Sequence, residues 1–221
     1  MKLVHNSFTF AIEFEENIVN LIVVENKSYL RQLVKELCDA EKGSATRYVL
    51  SEGLTELSVK DNMILLRDVF DVEVNDKKTL NKLYKRLEEV SNGYYCDNWN
   101  DVRSELCAYL YKLTDTEMLP LEFDVDIKLG DILKAVGMKF YFNDKTVLDS
   151  VMTYIDVCAE FSIAKIVVGV CWSAVFSIEE IEFIKWHCFD KKIHLLLFDD
   201  EKINIDKVKI YIIDHDLCEI F

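Results

Sequence analysis

The chain has 221 residues, 51% of them hydrophobic, with six glycines and one proline. It can therefore bury a sizeable core, and it lacks the breakers of long disordered linkers. Its formal charge of −14 at pH 7 disfavours unspecific attraction to nucleic acid or an anionic membrane over the average surface, and it favours a cation as partner. No run of about 18 uncharged apolar residues exists to span a membrane. The opening MKLVHNSFTFAIEFEEN meets acids too early for a signal peptide. A cytoplasmic protein is expected. The seven cysteines are odd in number and none lie in CxxC spacing, so reduced core thiols are expected rather than disulfides or zinc ligands.

In chain order, residues 8–14 alternate as an amphipathic strand, and 18–25 read as a strand buried on both faces. The turn Glu25-Asn26-Lys27-Ser28 leads into a helix over 29–41 with Leu30, Leu33, Val34, Leu37 and Cys38 in one stripe. Asn26-Lys27-Ser28 stands where a phosphate-binding loop would have Gly-Lys-Ser. Without glycines the backbone N–H groups cannot wrap a phosphate. The expectation is an NTPase-like topology stripped of its chemistry.

Residues 44–74 are less regular, with short strands or a short helix in LTELSV and MILLRDVF. Asn75 or Asp76 then caps a helix over 77–90, with Leu80, Leu83, Tyr84 and Leu87 facing inward. Lys77, Lys78, Lys82, Lys85 and Arg86 put five cations and no anion into ten residues. In so acidic a chain, that segregation points to a phosphate-contacting surface or to a plain solvated face. A helix over 98–116 follows, with Trp99, Val102, Leu106, Tyr109, Leu110 and Leu113 as its stripe.

Residues 121–127 alternate again, with Leu121, Phe123, Val125 and Ile127 against Glu122, Asp124 and Asp126, as in a strand with one wet acidic face. Calcium accepts carboxylate oxygens at ~2.3–2.6 Å in irregular geometry. One ion could bridge Asp124 and Asp126, or Glu122 and Asp124, with Asp131 as an added ligand. The alternative is a solvated face with Asp126 capping the next helix. That helix holds Leu129, Ile132, Leu133 and Val136, stops at Gly137, and is flanked at its end by Lys134 and Lys139.

A long helix is expected over 145–162, a buried strand over 163–171, a helix over 178–190 opened by a Ser177–Glu180 capping box, and strands over 193–198 and 207–213. Buried strands at both ends of the chain should share one sheet. The expected fold is thus α/β: a degenerate P-loop-NTPase-like head, residues 1–74 and 163–221, with an inserted mainly α-helical leg, residues 75–162. The strand ends offer Cys171-Trp172-Ser173, Asp199-Asp200 and Asp214-His215-Asp216. Each is read as loop or cap, with a metal-dependent nuclease or NTPase as the rival reading.

The collinear set RDVFDVEVNDKKTLNKL (67–83), LKAVGMKF (133–140), the helix and strand over 145–172, IHLLLFDDE (193–201) and Tyr211-Ile212-Ile213-Asp214-His215-Asp216 resembles the Csn-type spacer-acquisition family of type II-A CRISPR systems. The resemblance implies a non-enzymatic protein that binds double-stranded DNA at its ends without reading sequence. It implies a ring-shaped homotetramer supported by Ca2+, acting beside the CRISPR integrase subunits and the effector nuclease. Carried over by residue, it places the calcium ligands among Glu122, Asp124, Asp126 and Asp131, and it matches Lys134 and Lys139 to the motif's lysines. A protein-only adaptation scaffold is the remaining alternative.

Overall fold

A computed structural model describes residues 1–44, 46–142 and 146–220. The chain divides into two units, Met1–Glu73 with Phe142–Phe221, and Val74–Tyr141.

The first unit opens with β1 (Lys2–His5) and β2 (Ile12–Glu13). They are followed by β3 (Val19–Val24), α1 (Lys27–Glu41), β4 (Tyr48–Glu52) and β5 (Thr55–Leu57). Helix α2 (Val59–Asn62) and β6 (Met63–Leu66) complete its first segment. The second unit holds α3 (Lys77–Tyr94), α4 (Cys96–Thr114) and α5 (Leu129–Ala135). The chain returns to the first unit with α6 (Val147–Glu160), β7 (Ile166–Val170), a 3-10 turn over Trp172–Ala174 and α7 (Ile178–Asp190). It ends with β8 (His194–Asp199), β9 (Val208–Ile213) and β10 (Glu219–Ile220).

The large sheet runs β10-β9-β3-β8-β7-β6 and is parallel except for β10. Every residue of β3 is buried. This is the mark of a parallel strand covered on both faces, and it explains why β3 reads as a continuous apolar run. On one face Ile22, Val24, Val168, Leu196 and Phe198 join Leu30, Leu33 and Leu37 of α1 in one core. Leu3, Ile12 and Leu50 of a small antiparallel sheet, ordered β2-β1-β4-β5, complete that core. Residues of opposite parity, such as Leu21, Val167, Leu195 and Leu197, are equally buried. So are Val151, Ile155 and Cys158 of α6 and Ile181, Ile184 and Cys188 of α7. Gly169 leaves room for the indole of Trp172, since a Cβ there would lie 2.4 Å from the ring.

Asn26, read from the sequence only as part of a turn, accepts the N–H groups of Ser28 and Tyr29 and starts α1 at Lys27 rather than at residue 29. Other local signals act as expected. Asp76 does the same for Lys78 and Thr79 at the start of α3. Ser177 and Glu180 form the reciprocal capping box of α7. Gly137 adopts φ +67° just past α5, and the Met138 N–H returns to the Leu133 carbonyl at 2.9 Å, as in a left-handed helix stop.

Three expectations need correcting. Only Ile12–Glu13 of the segment 8–14 is strand. Residues 121–127 form no strand at all. Alternation prepares a segment for a ladder but supplies no partner, and without one the backbone takes irregular form. Third, the helix expected over 145–162 belongs by its packing to the first unit, so the inserted unit ends at Tyr141 rather than at residue 162. The expected start of that helix at Lys145 lies outside the described residues. Its apolar stripe packs beside α7, which in turn contacts β8. Among the described residues, no helix is long and apolar enough to cross a membrane.

Candidate functional site

Within the second unit, α3 is the cationic element. Tyr84 is buried and donates its hydroxyl to the Met138 carbonyl at 2.8 Å, which tethers α3 to the segment after α5. Leu80, Leu83 and Leu87 are half-buried on the same side. That orientation leaves Lys77, Lys85 and Arg86 exposed, with Lys78 and Lys82 intermediate. Lys85 faces Glu89 at 3.9 Å, one turn on, a pairing that leaves its ammonium largely in water. Lys134 and Lys139 are exposed as well. Lys134 pairs with Asp131 at 3.1 Å.

The expected calcium ligands are distributed as follows. Asp124 and Asp126 lie together, because the Asp124 carboxylate accepts the Asp126 N–H at 2.8 Å. Asp126 also faces the Arg103 guanidinium of α4 at 3.9 Å. Asp131 is engaged by Lys134 rather than by the other acids. Glu122 is exposed. Among the described residues, no group of three or more His, Cys, Asp or Glu side chains could hold a metal ion. Two neighbouring carboxylates supply only part of the six to eight oxygens calcium takes, the rest coming in such sites from carbonyls, waters or further carboxylates. Asp126 is not a helix cap either: the N-cap of α5 is Lys128, with no side-chain bond. The free Gly130 N–H is instead accepted by Glu88 of α3 at 2.9 Å. Neither Arg103 nor Glu88 carried a local sequence signal, since both act across loops and helices.

At the carboxyl ends of the parallel strands, the polar side chains of the first unit are engaged by the chain itself. The helix N-terminus that would receive a phosphate is filled by the chain's own Asn26 side chain, whose amide also donates to the His215 carbonyl at 3.2 Å. Lys27 is turned onto Asp200 at 3.2 Å. Asp199 is fully buried and accepts the Ser173 N–H at 3.0 Å and its hydroxyl at 2.6 Å. It also accepts the Asp200 N–H at 3.0 Å, so its oxygens hold loops. Asp214 accepts the N–H groups of Asp216 and Cys218, and closes its own turn. Cys171 sits at φ +51°, but its thiol is pushed up by burial and by the carboxylates of Asp199 and Asp200. A thiol so placed is a poor nucleophile.

The crystal structure of Stu0660 of Streptococcus thermophilus is similar to this chain with a TM-score of 0.63 and 14% identity, covering 97% of this chain and 75% of that one. The two share the fold. The ADP conformation of MJ1267, an ATP-binding cassette of an ABC transporter, is a looser likeness, with a TM-score of 0.45 and 14% identity over 92% of this chain and 79% of that one. No curated protein matches in sequence. The profile of the CRISPR-associated protein family Cas_Csn2 matches residues 41–217, from the end of α1 through the last parallel strand. The chain belongs to the Csn2 family of CRISPR-associated proteins, and its role is tied to CRISPR adaptation.

Proposed function

We propose that the chain acts in spacer acquisition as a sequence-independent binder of double-stranded DNA ends, working as a ring-shaped homotetramer supported by calcium and without turnover of its own. The observation that carries this reading is charge segregation. A chain of net charge −14 gathers Lys77, Lys78, Lys82, Lys85 and Arg86 within ten residues of α3. Polyanion binding by so acidic a protein requires its cations to be sorted into one surface, because the average surface repels phosphate. Lys134 and Lys139 extend the cationic inventory of the same unit. The sequence carries no recognition-helix or zinc-finger signature beside them, in keeping with contacts to the DNA backbone alone.

Self-association is supported by α4. This helix of 19 residues buries none of them, although Val102, Tyr109 and Leu113 are 54%, 58% and 44% exposed. An apolar stripe left in water along a whole helix is the usual sign of a surface that another chain covers. Calcium enters the proposal at Asp124 and Asp126, with the missing oxygens drawn from a second copy or from water. The integrase subunits and the effector nuclease are the proposed partners of the assembly.

The test is native mass spectrometry of the chain with and without calcium and a short duplex. Tetramers that form with calcium and take up linear duplex support the reading. A monomer that ignores linear DNA in calcium sinks it. Hydrolysis of DNA or ATP that is lost on substituting Asp199 or Asp200 would establish the enzymatic alternative instead.

A further inference from the structure

The amino-terminal hairpin carries a relay of hydrogen bonds unrelated to the cationic surface. His5 ends β1 with its side chain fully buried. Its Nε2 lies 2.6 Å from Glu36 Oε2 on α1. Its Nδ1 lies 2.7 Å from Ser7 Oγ. Ser7 Oγ is in turn 2.7 Å from the Tyr29 hydroxyl. The other Glu36 oxygen accepts Gln32 Nε2 at 2.9 Å and faces Arg47 at 3.6 Å. The imidazole is wedged against the rings of Phe8 and Tyr48, at 4.9 Å and 4.5 Å between centroids, and cannot swing away.

These distances assign the protons. Partial burial raises the Glu36 carboxyl, but the bonds from Gln32 and His5 and the charge of Arg47 bring it net below its ordinary value. Glu36 is therefore a carboxylate and can only accept. The Ser7 backbone N–H also points at His5 Nδ1, at 3.4 Å, which marks Nδ1 as the acceptor and puts the ring proton on Nε2, facing Glu36. Ser7 must donate its hydroxyl proton to Nδ1. The one remaining role for Tyr29 is to donate to Ser7 Oγ. Ser7 itself is exposed, so an incoming reagent can reach the oxygen that the buried pair polarises.

We propose that Ser7 is an activated nucleophile, with His5 as its general base and Glu36 as the positioning residue, and that it is covalently modified by small electrophilic acyl or phosphoryl donors. In the step, Ser7 Oγ bonds to the carbonyl carbon or phosphorus. The bond to the leaving group breaks, and that group departs with the electron pair. The Ser7 proton passes to His5 Nδ1. The resulting imidazolium is held against the Glu36 carboxylate and later yields the proton to water. The arrangement has the nucleophile–base–carboxylate logic of a triad, with the serine on Nδ1 and the carboxylate on Nε2. The proposal stands independently of DNA binding.

The experiment treats the full-length protein with diisopropyl fluorophosphate and maps the adduct by peptide mass spectrometry. One phosphoryl group on Ser7, with fluoride released, is expected. Ser7→Ala, at an exposed position, should remove it while leaving the circular dichroism spectrum unchanged. Glu36→Gln should slow labelling by about tenfold or more, as loss of the group that orients a general base does. Absence of an adduct, with a control serine hydrolase in the same tube fully labelled, overturns the proposal. So does modification of tyrosine or lysine with Ser7 untouched. Labelling of Glu36→Gln at the wild-type rate overturns the relay, and the network is then only a tie that holds the hairpin to α1.

Discussion

Asn75 and Phe140 are joined by a pair of hydrogen bonds, from Asn75 Nδ2 to the Phe140 carbonyl at 3.1 Å and from the Phe140 N–H to Asn75 Oδ1 at 2.9 Å. The asparagine amide stands in for a strand neighbour, and it clasps together the chain that enters the second unit and the chain that leaves it. Asn75→Ala removes both bonds. The expected cost is about 1–2 kcal/mol. Hydrogen exchange should show the Phe140 amide losing protection, while amides within β3 and β8 keep theirs.

Gly130 is held by Glu88 of α3. A Cβ there would sit 2.6 Å from Glu88 Oε1, the atom that accepts the Gly130 N–H. That oxygen is the far end of a flexible side chain, so Gly130→Ala should displace the carboxylate and cost the second unit about 0.5–1.5 kcal/mol for the lost bond. Its helical position would otherwise favour alanine. Adding Glu88→Ala should cost little more, since the bond is already broken, and urea unfolding of the single and double variants measures the coupling.

The α4 stripe yields a prediction on assembly. Val102→Asp with Leu113→Asp changes side chains that are about half exposed in the single chain and puts a carboxylate in the last turn of α4, so monomer stability should fall by about 1–2 kcal/mol. Desolvating those carboxylates at an interface is costly, and self-association should weaken about 100-fold or more. Sedimentation velocity over a concentration series checks this. Unaltered assembly would place the interface elsewhere.

Two steps are expected in stability against pH. Burial first, and then the amino-terminal ammonium, push the His194 imidazole below its ordinary value of 6.5. The native state then binds fewer protons than the unfolded state, so stability falls as pH drops below that value. Glu36 and Glu182 are raised by burial, but their hydrogen-bonded partners, His5 with Gln32 and Lys185 with the Asp206 backbone, hold them net below 4.5. Their contribution is present above 4.5 and is lost as pH falls through the depressed values. Urea midpoints measured from pH 8 to 3 should show both steps. His194→Gln should remove the upper one, and Glu182→Gln should flatten the lower.

Much of the molecule was readable because its signals are local. The continuous apolar runs of β3, β7 and β8 announce strands covered on two faces. Asp76, Ser177 and Gly137 mark helix ends, since capping involves residues only a few positions apart. The cationic run of α3 is likewise a property of adjacent residues. The failures share one cause. Residues 121–127 have the alternation of a strand, but a strand is defined by its neighbour, and none lies beside them. Asp126 looked like a cap, but its position is spent on Asp124 and Arg103, and Glu88 caps the helix from 42 residues away in sequence.

From its sequence alone this protein had its class: an acidic α/β chain with an NTPase-like strand–turn–helix that lacks phosphate-loop glycines, and with a run of five cations and no anion at the start of one helix. Tertiary structure alone decided that the helix Val147–Glu160 packs with the sheet rather than with the inserted unit. It alone brought Ser7, His5, Glu36 and Tyr29 into one hydrogen-bonded line. Periodicity and caps are written in neighbouring residues. Pairings between distant ones depend on which buried surfaces meet, and that is settled only when the whole chain packs.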